Sequence, residues 1–287
     1  MTTSPDQSPF VVSFEWLKSR LNEPGLKIVD ASWYLPAQNR NGAAEFAASR
    51  IPGAVFFDQD KIVAPGSNLP HTIPDEADFA RAAGELGLSE TDTIVVYDGP
   101  GMFTAPRVWW LLRIFGAGNT YVLNGGFDTW KAEGLPTQTG EPATPEPAEF
   151  NATLNLQAIT DFDAMRSIVD TQTSQIADAR GPGRFTGVEA EPRQGMRSGH
   201  MPGARNVPFS TLTEGGKLKP IKDLRAALEA SGLDLDKPVV TSCGSGVTAA
   251  VITLALQSTG HHDNTLYDGS WSEWGGREDT PIVTGEA

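Results

Sequence analysis

Four short blocks of this sequence return, in the same order, about 145–150 residues further along the chain. Lys27-Ile28-Val29-Asp30-Ala31-Ser32 returns as Gln175-Ile176-Ala177-Asp178-Ala179-Arg180, and Ile51-Pro52-Gly53-Ala54 returns as Met201-Pro202-Gly203-Ala204. The apolar run from Thr93 to Gly99 returns from Lys237 to Gly244. Leu123-Asn124-Gly125-Gly126-Phe127 with Trp130 returns as Tyr267-Asp268-Gly269-Ser270-Trp271 with Trp274. Ordered recurrence of this kind means two copies of one domain, expected over residues 8–136 and 153–287 with a linker at 137–152. The linker carries Pro142, Pro145 and Pro147 and almost no apolar periodicity, so an extended surface path is expected. Within each copy, β-rich runs alternate with helical ones. Val11–Leu21, Asp75–Leu86 and Phe103–Phe115 read as helices in the first copy, Leu224–Glu229 and Val247–Leu256 in the second. The alternation predicts an α/β fold, each copy a mostly parallel sheet flanked by helices. Such sheets bind ligands beyond the carboxyl ends of their strands.

The copies differ at that edge. Cys243, the sole cysteine, stands between the apolar run Pro238–Ser242 and the helical run, and opens Cys243-Gly244-Ser245-Gly246-Val247-Thr248. A strand-to-helix turn aims backbone N–H groups and the positive end of a helix dipole at one sulfur, an environment that favours the nucleophilic thiolate. A lone cysteine is otherwise a small buried hydrophobe. The glycines and hydroxyls of this loop, which an ordinary core turn does not need, point to the reactive reading. The first copy has Asp98 in place of Cys243, in a longer loop that includes Pro100. An aspartate cannot do a thiolate's chemistry, so the first copy is expected to form a wall of the site.

Composition removes several function classes. A net charge of −14 argues against nucleic acid or an anionic membrane as partner. A single cysteine excludes an internal disulfide. No apolar run approaches the roughly 20 residues of a membrane span. Met1–Phe10 lacks the features of a secretory signal, so the expected compartment is the cytoplasm. His261, His262 and Asp263 read as a solvated turn without zinc spacing, and no metal or organic cofactor is expected.

Two tandem α/β domains with a cysteine loop in the second resemble the rhodanese superfamily. The resemblance runs from about Phe10 to Thr284. It is carried also by Ala105-Pro106-Arg107-Val108-Trp109-Trp110, Gly183-Arg184-Phe185, Glu191-Pro192-Arg193 and Gly199-His200-Met201-Pro202-Gly203. Within the superfamily, the loop is similar to that of sulfurtransferases acting on 3-mercaptopyruvate. Cysteine phosphatases need an arginine six positions after the nucleophile to grip phosphate, and Ala249 stands there. Thiosulfate-specific members carry basic residues beside the cysteine, where this chain has the neutral Gly244 and Ser245. A neutral loop suits a donor whose negative charge lies away from its sulfur.

That charge then needs a cation elsewhere. Arg184 and Arg193 lie in the Gly- and Pro-rich stretch 181–195, where spacing alone leaves open whether they bind a ligand, stay solvated, or pair with Glu189 and Glu191. The resemblance implies that they hold the donor's carboxylate and keto oxygen. It also implies that Ser245 works with His71 and Asp60 of the first copy as a proton relay, and that Gly244, Gly246, Val247 and Thr248 supply the amide cradle. The implied reaction is sulfur transfer from 3-mercaptopyruvate through a Cys243 persulfide to thioredoxin, a small thiol or cyanide. The alternatives are a thiosulfate:cyanide sulfurtransferase and a non-enzymatic persulfide carrier.

Overall fold

The computed structural model describes residues 6–286. The first five residues of the Met1–Phe10 stretch, read above for a targeting signal, lie outside it. The first half contains strands β1 (Val11–Val12), β2 (Leu26–Asp30), β3 (Ala54–Phe56), β4 (Thr93–Tyr97) and β5 (Thr120–Leu123). Its helices are α1 (Phe14–Lys18), α2 (Gly42–Ala48), α3 (Glu76–Glu85), α4 (Ala105–Ile114) and α5 (Gly126–Ala132). The second half repeats the plan with β6 (Ile159–Thr160), β7 (Gln175–Asp178), β8 (Ala204–Asn206), a hairpin of β9 (Thr213–Glu214) and β10 (Lys217–Leu218), β11 (Val239–Ser242) and β12 (Asn264–Tyr267). Its helices are α6 (Phe162–Thr171), α7 (Pro182–Thr186), α8 (Ile221–Ala230), α9 (Ala249–Ser258) and α10 (Ser270–Trp274).

The two five-stranded sheets run β1-β5-β4-β2-β3 and β6-β12-β11-β7-β8, parallel throughout. Their orders superpose strand for strand, which is the repeat made physical. Central strands β4 and β11 are buried on both faces, as their Val- and Ile-rich runs require. The recurring tryptophans have one job in each copy. Trp130 and Trp274 are fully buried, and their indole N–H groups donate to the carbonyls of Pro136 and Pro281 at 2.8 and 2.9 Å.

Helix starts follow short polar caps: Asp75 accepts from Asp78 N–H at 2.8 Å, and Asp161 from Ala164 N–H at 2.9 Å. The expected helix at Val11–Leu21 begins later. Val11 and Val12 form an edge strand beside β5, and Ser13 caps a short helix from Phe14. Two β-branched residues suit a pleated edge better than a first helical turn. The 137–152 segment has no helix or strand beyond a bridge from Gln138 to Arg50. It is pinned at its end, where Phe150 is buried edge-on against Phe79.

Helices α4 and α9, which follow the two inequivalent loops, are buried almost all round and pack on each other. Their contact makes one core across both halves, with Trp109 and Phe115 in the same cluster as Ile252 and Leu256. This joins the carboxyl edges of the two sheets where the loops lie. Among the described residues, no helix is long and apolar enough to cross a membrane.

Candidate active site

Cys243 leaves the end of β11 and is 2% exposed. Its N–H donates to Ser270 Oγ at 3.3 Å, and its carbonyl accepts from Trp271 N–H at 2.9 Å. The next carbonyl, of Gly244, accepts from the N–H and the hydroxyl of Ser272 at 2.9 and 2.6 Å. Gly246 turns the chain at φ +78°, where a side chain would meet the Arg107 guanidinium and the Asp268 carbonyl at 3.0 and 3.2 Å. Among the described residues, the N–H groups of Gly244, Ser245, Gly246, Val247 and Thr248 have no protein acceptor.

The first copy has a corresponding loop after β4. Phe127 and Asp128 N–H bond the carbonyls of Asp98 and Gly99 at 2.8 Å each, the same anchors that Trp271 and Ser272 give Cys243 and Gly244. Asp98 therefore stands in the cysteine's place. Its carboxylate accepts from the N–H groups of Gly101, Phe103, Thr104 and Ala105 at 2.6, 3.0, 2.7 and 2.7 Å. The cradle is filled by the chain's own anion. Burial pushes the Asp98 carboxyl up, opposed by these four amides.

Arg184, on the five-residue helix α7, and Arg193 in the following loop come to the Cys243 loop. All three line one cavity of about 90 Å³, closed by Trp33, Phe103 and Phe209. A side chain at Gly244 would meet Arg184 Nη2 at 3.0 Å, so a basic residue there and Arg184 would compete for the same space. Arg184 also pairs with Glu191. Ligand wall and ion pair are thus not alternatives for this arginine. Arg193 touches Ser272 Oγ at 3.4 Å, and burial lowers its pKa from the ordinary value.

His71 bridges the two halves. Its Nδ1 lies 2.9 Å from Ser245 Oγ and its Nε2 3.1 Å from Asp60 Oδ1. An ionised carboxylate only accepts, so Asp60 fixes the proton on Nε2 and leaves Nδ1 to accept from the Ser245 hydroxyl. Burial pushes the His71 imidazole below its usual value, against the pull of Asp60. The hydrogen bond from His71 holds the Asp60 carboxyl low. Burial thus favours the neutral ring.

Sequence reasoning gave no role to Trp33 or Arg107, and took Arg180 only as a salt-bridge or surface residue. Trp33 donates to both Asp60 oxygens at 3.0 Å and stands edge-on to His71 at 4.8 Å. Arg180 is fully buried between Asp178 and Glu191 at 2.7 Å each. Arg107, on α4, reaches across to the second half and pairs with Asp268 at 2.7 Å. His261, expected in solvent, is buried between the Leu235 and Asp263 carbonyls at 2.9 Å each, because its own N–H closes the end of α9 on the Leu256 carbonyl at 3.0 Å and holds the residue against the fold. His200 stacks on Phe185 and bonds its carbonyl at 2.9 Å, a structural role.

Rhodanese-like domains match residues 13–133 and 161–277. The chain belongs to the rhodanese-like family. Among its rhodanese-like relatives, 3-mercaptopyruvate sulfurtransferase of Escherichia coli is 42% identical, with 94% of this chain and 96% of the relative covered. Thiosulfate sulfurtransferase of Bos taurus is 43% identical, with 92% and 91% covered. The crystal structure of an Escherichia coli 3-mercaptopyruvate sulfurtransferase matches with a TM-score of 0.84 at 40% identity, covering 92% of this chain and 99% of that one. Rhodanese relatives with different donors are thus equally similar overall, and the donor has to be read from the pocket.

Proposed function

We propose that the protein is a sulfurtransferase that takes sulfur from 3-mercaptopyruvate and passes it to a thiol. The observation that carries this is the shared cavity of Cys243, Arg184 and Arg193, with both cations outside a neutral loop. The donor's carboxylate lies away from its sulfur, so its anchor has to stand away from the nucleophile. Two guanidiniums also match planar carboxylate and carbonyl oxygens.

In the proposed reaction the Cys243 thiolate attacks the donor sulfur. An S–S bond forms, the C–S bond breaks, and the electron pair leaves as the enolate of pyruvate. Arg184 and Arg193 balance that charge. The Ser245 hydroxyl, backed by neutral His71 and Asp60, relays a proton to the enolate carbon, giving pyruvate. The donor thiol's own proton keeps the balance. The persulfide's outer sulfur then sits among the free amides of the loop, in the part that the Asp98 carboxylate plays in the first copy. A thiol or cyanide removes it, splitting one hard transfer into two steps. The acceptor proposed is a small thiol or a reduced protein dithiol, in the cytoplasm.

The test compares 3-mercaptopyruvate with thiosulfate as donor, reading pyruvate and thiocyanate with cyanide as acceptor. A higher kcat/KM for mercaptopyruvate is expected. Preference for thiosulfate would overturn the donor, and a single loading without turnover would mean a carrier. For the relay, Asp60→Asn is expected to lower kcat about 100-fold, within the usual contribution of acid–base catalysis. An amide can donate to Nε2, which moves the ring proton to Nδ1 and blocks the Ser245 hydroxyl. Because Asp60 pulls the His71 pKa up, its loss moves the acid side of the pH–rate profile to lower pH still. An unchanged kcat would remove Asp60 from the relay.

A further inference from the structure

A buried line of alternating charge runs from the end of β7 into the donor pocket: Asp178, Arg180, Glu191, Arg184. Arg180 lies 2.7 Å from both Asp178 and Glu191, and Glu191 passes on to Arg184, its Oε1 accepting from Arg184 Nε at 3.2 Å and its Oε2 from Nη2. The Glu191 side chain is 3% exposed and that of Arg184 is 22%. Glu191 therefore occupies one whole edge of the Arg184 fork, leaving Nη1 as the group free for a donor. Arg193 completes the pocket and, among the described residues, has no carboxylate within ion-pair distance, although Asp60 and Glu191 are near enough to influence it.

We propose that Glu191 sets the donor preference of this pocket, admitting donors with one carboxylate and disfavouring compact dianions such as thiosulfate. The inference rests on the sulfurtransferase reading above and adds a determinant that lies outside the cysteine loop. A fixed buried negative charge repels a dianion twice as strongly as a monoanion at the same place. A three-oxygen anionic head is also best gripped by a free guanidinium fork, the edge that Glu191 occupies. A single carboxylate, shared between Arg193 and the remaining Arg184 nitrogen, needs neither.

The experiment measures kcat/KM for both donors, with cyanide as acceptor, in the wild type, Glu191→Gln and Glu191→Asp. Glu191→Gln keeps the shape and removes the charge, and is expected to move the thiosulfate-to-mercaptopyruvate ratio about tenfold toward thiosulfate. Glu191→Asp keeps the charge but draws it back from Arg184, and moves the ratio in the same direction by a smaller factor. It also covers the case in which the glutamine variant does not fold. A purely structural role would lower both donors in parallel with an unchanged ratio, and that result in either folded variant would overturn the proposal. If the wild type itself prefers thiosulfate, the donor reading fails instead, while the variant-to-wild-type ratio still decides the role of Glu191.

Discussion

Cys243→Ser is expected to stop pyruvate release, with a loss of at least about 10⁴-fold, the scale seen when a covalent nucleophile is removed. The substitution changes one atom and preserves the loop. Cys243 is 2% exposed and its backbone bonds to Ser270 and Trp271 involve only main-chain atoms of the cysteine. A serine hydroxyl ionises far less readily than a thiol and forms no S–S bond, so the first step has no substitute. The chain has no other cysteine, so incubation with donor should add the mass of one sulfur atom to the wild type and none to the variant. Donor binding should survive, because Arg184 and Arg193 are untouched. Turnover in the serine variant would place the chemistry elsewhere and remove the basis of the mechanism.

The parts of the site legible in the sequence are those fixed by local chain geometry. The repeated blocks mark strand ends and the turns after them, so they located both sheets, both loops and the Asp98–Cys243 inequivalence. Read from the sequence, that inequivalence makes the first copy a wall of the site but does not say what its own loop holds. Four amides converge on Asp98 only once the seven-residue loop is folded. Arg184 and Arg193 could be named but not separated from ion pairs, because Glu191 meets Arg184 through tertiary packing and Arg180 from the far side. Trp33 carries no local signal, since its partners Asp60 and His71 are set by the path of a long loop. Arg107 did carry one. It is the one charged residue in the first turns of an otherwise apolar helix, and a buried charge of that kind needs partners.

Those partners make Arg107→Met the second large prediction. Arg107 is 1% exposed. Its Nη2 donates to the His71 carbonyl at 2.6 Å and to Asp268 Oδ1 at 2.7 Å, and its Nη1 reaches the Gly246 carbonyl at 3.4 Å. One first-half side chain thus holds the relay histidine, the middle of the cysteine loop and the carboxylate that receives Ile73 N–H at 2.9 Å. His71 needs the support, since its backbone is left-handed at φ +58°. Removing the guanidinium leaves the partly buried Asp268, its side chain 17% exposed, without its cation, and a loss of about 2–3 kcal/mol of stability is expected, below the figure for a fully buried pair. It also frees Gly246 and His71, and kcat should fall about 100-fold, the usual penalty for misplacing catalytic groups by about 1 Å. The two effects separate in the double variant Arg107→Met with Asp268→Asn. Removing both charges restores much of the stability, read from denaturant unfolding, because no buried charge is left alone. It does not restore kcat, because neither methionine nor asparagine at these positions replaces the hydrogen bonds to the His71 and Gly246 carbonyls. Recovery of both stability and kcat would mean that Arg107 only balances Asp268 and positions nothing.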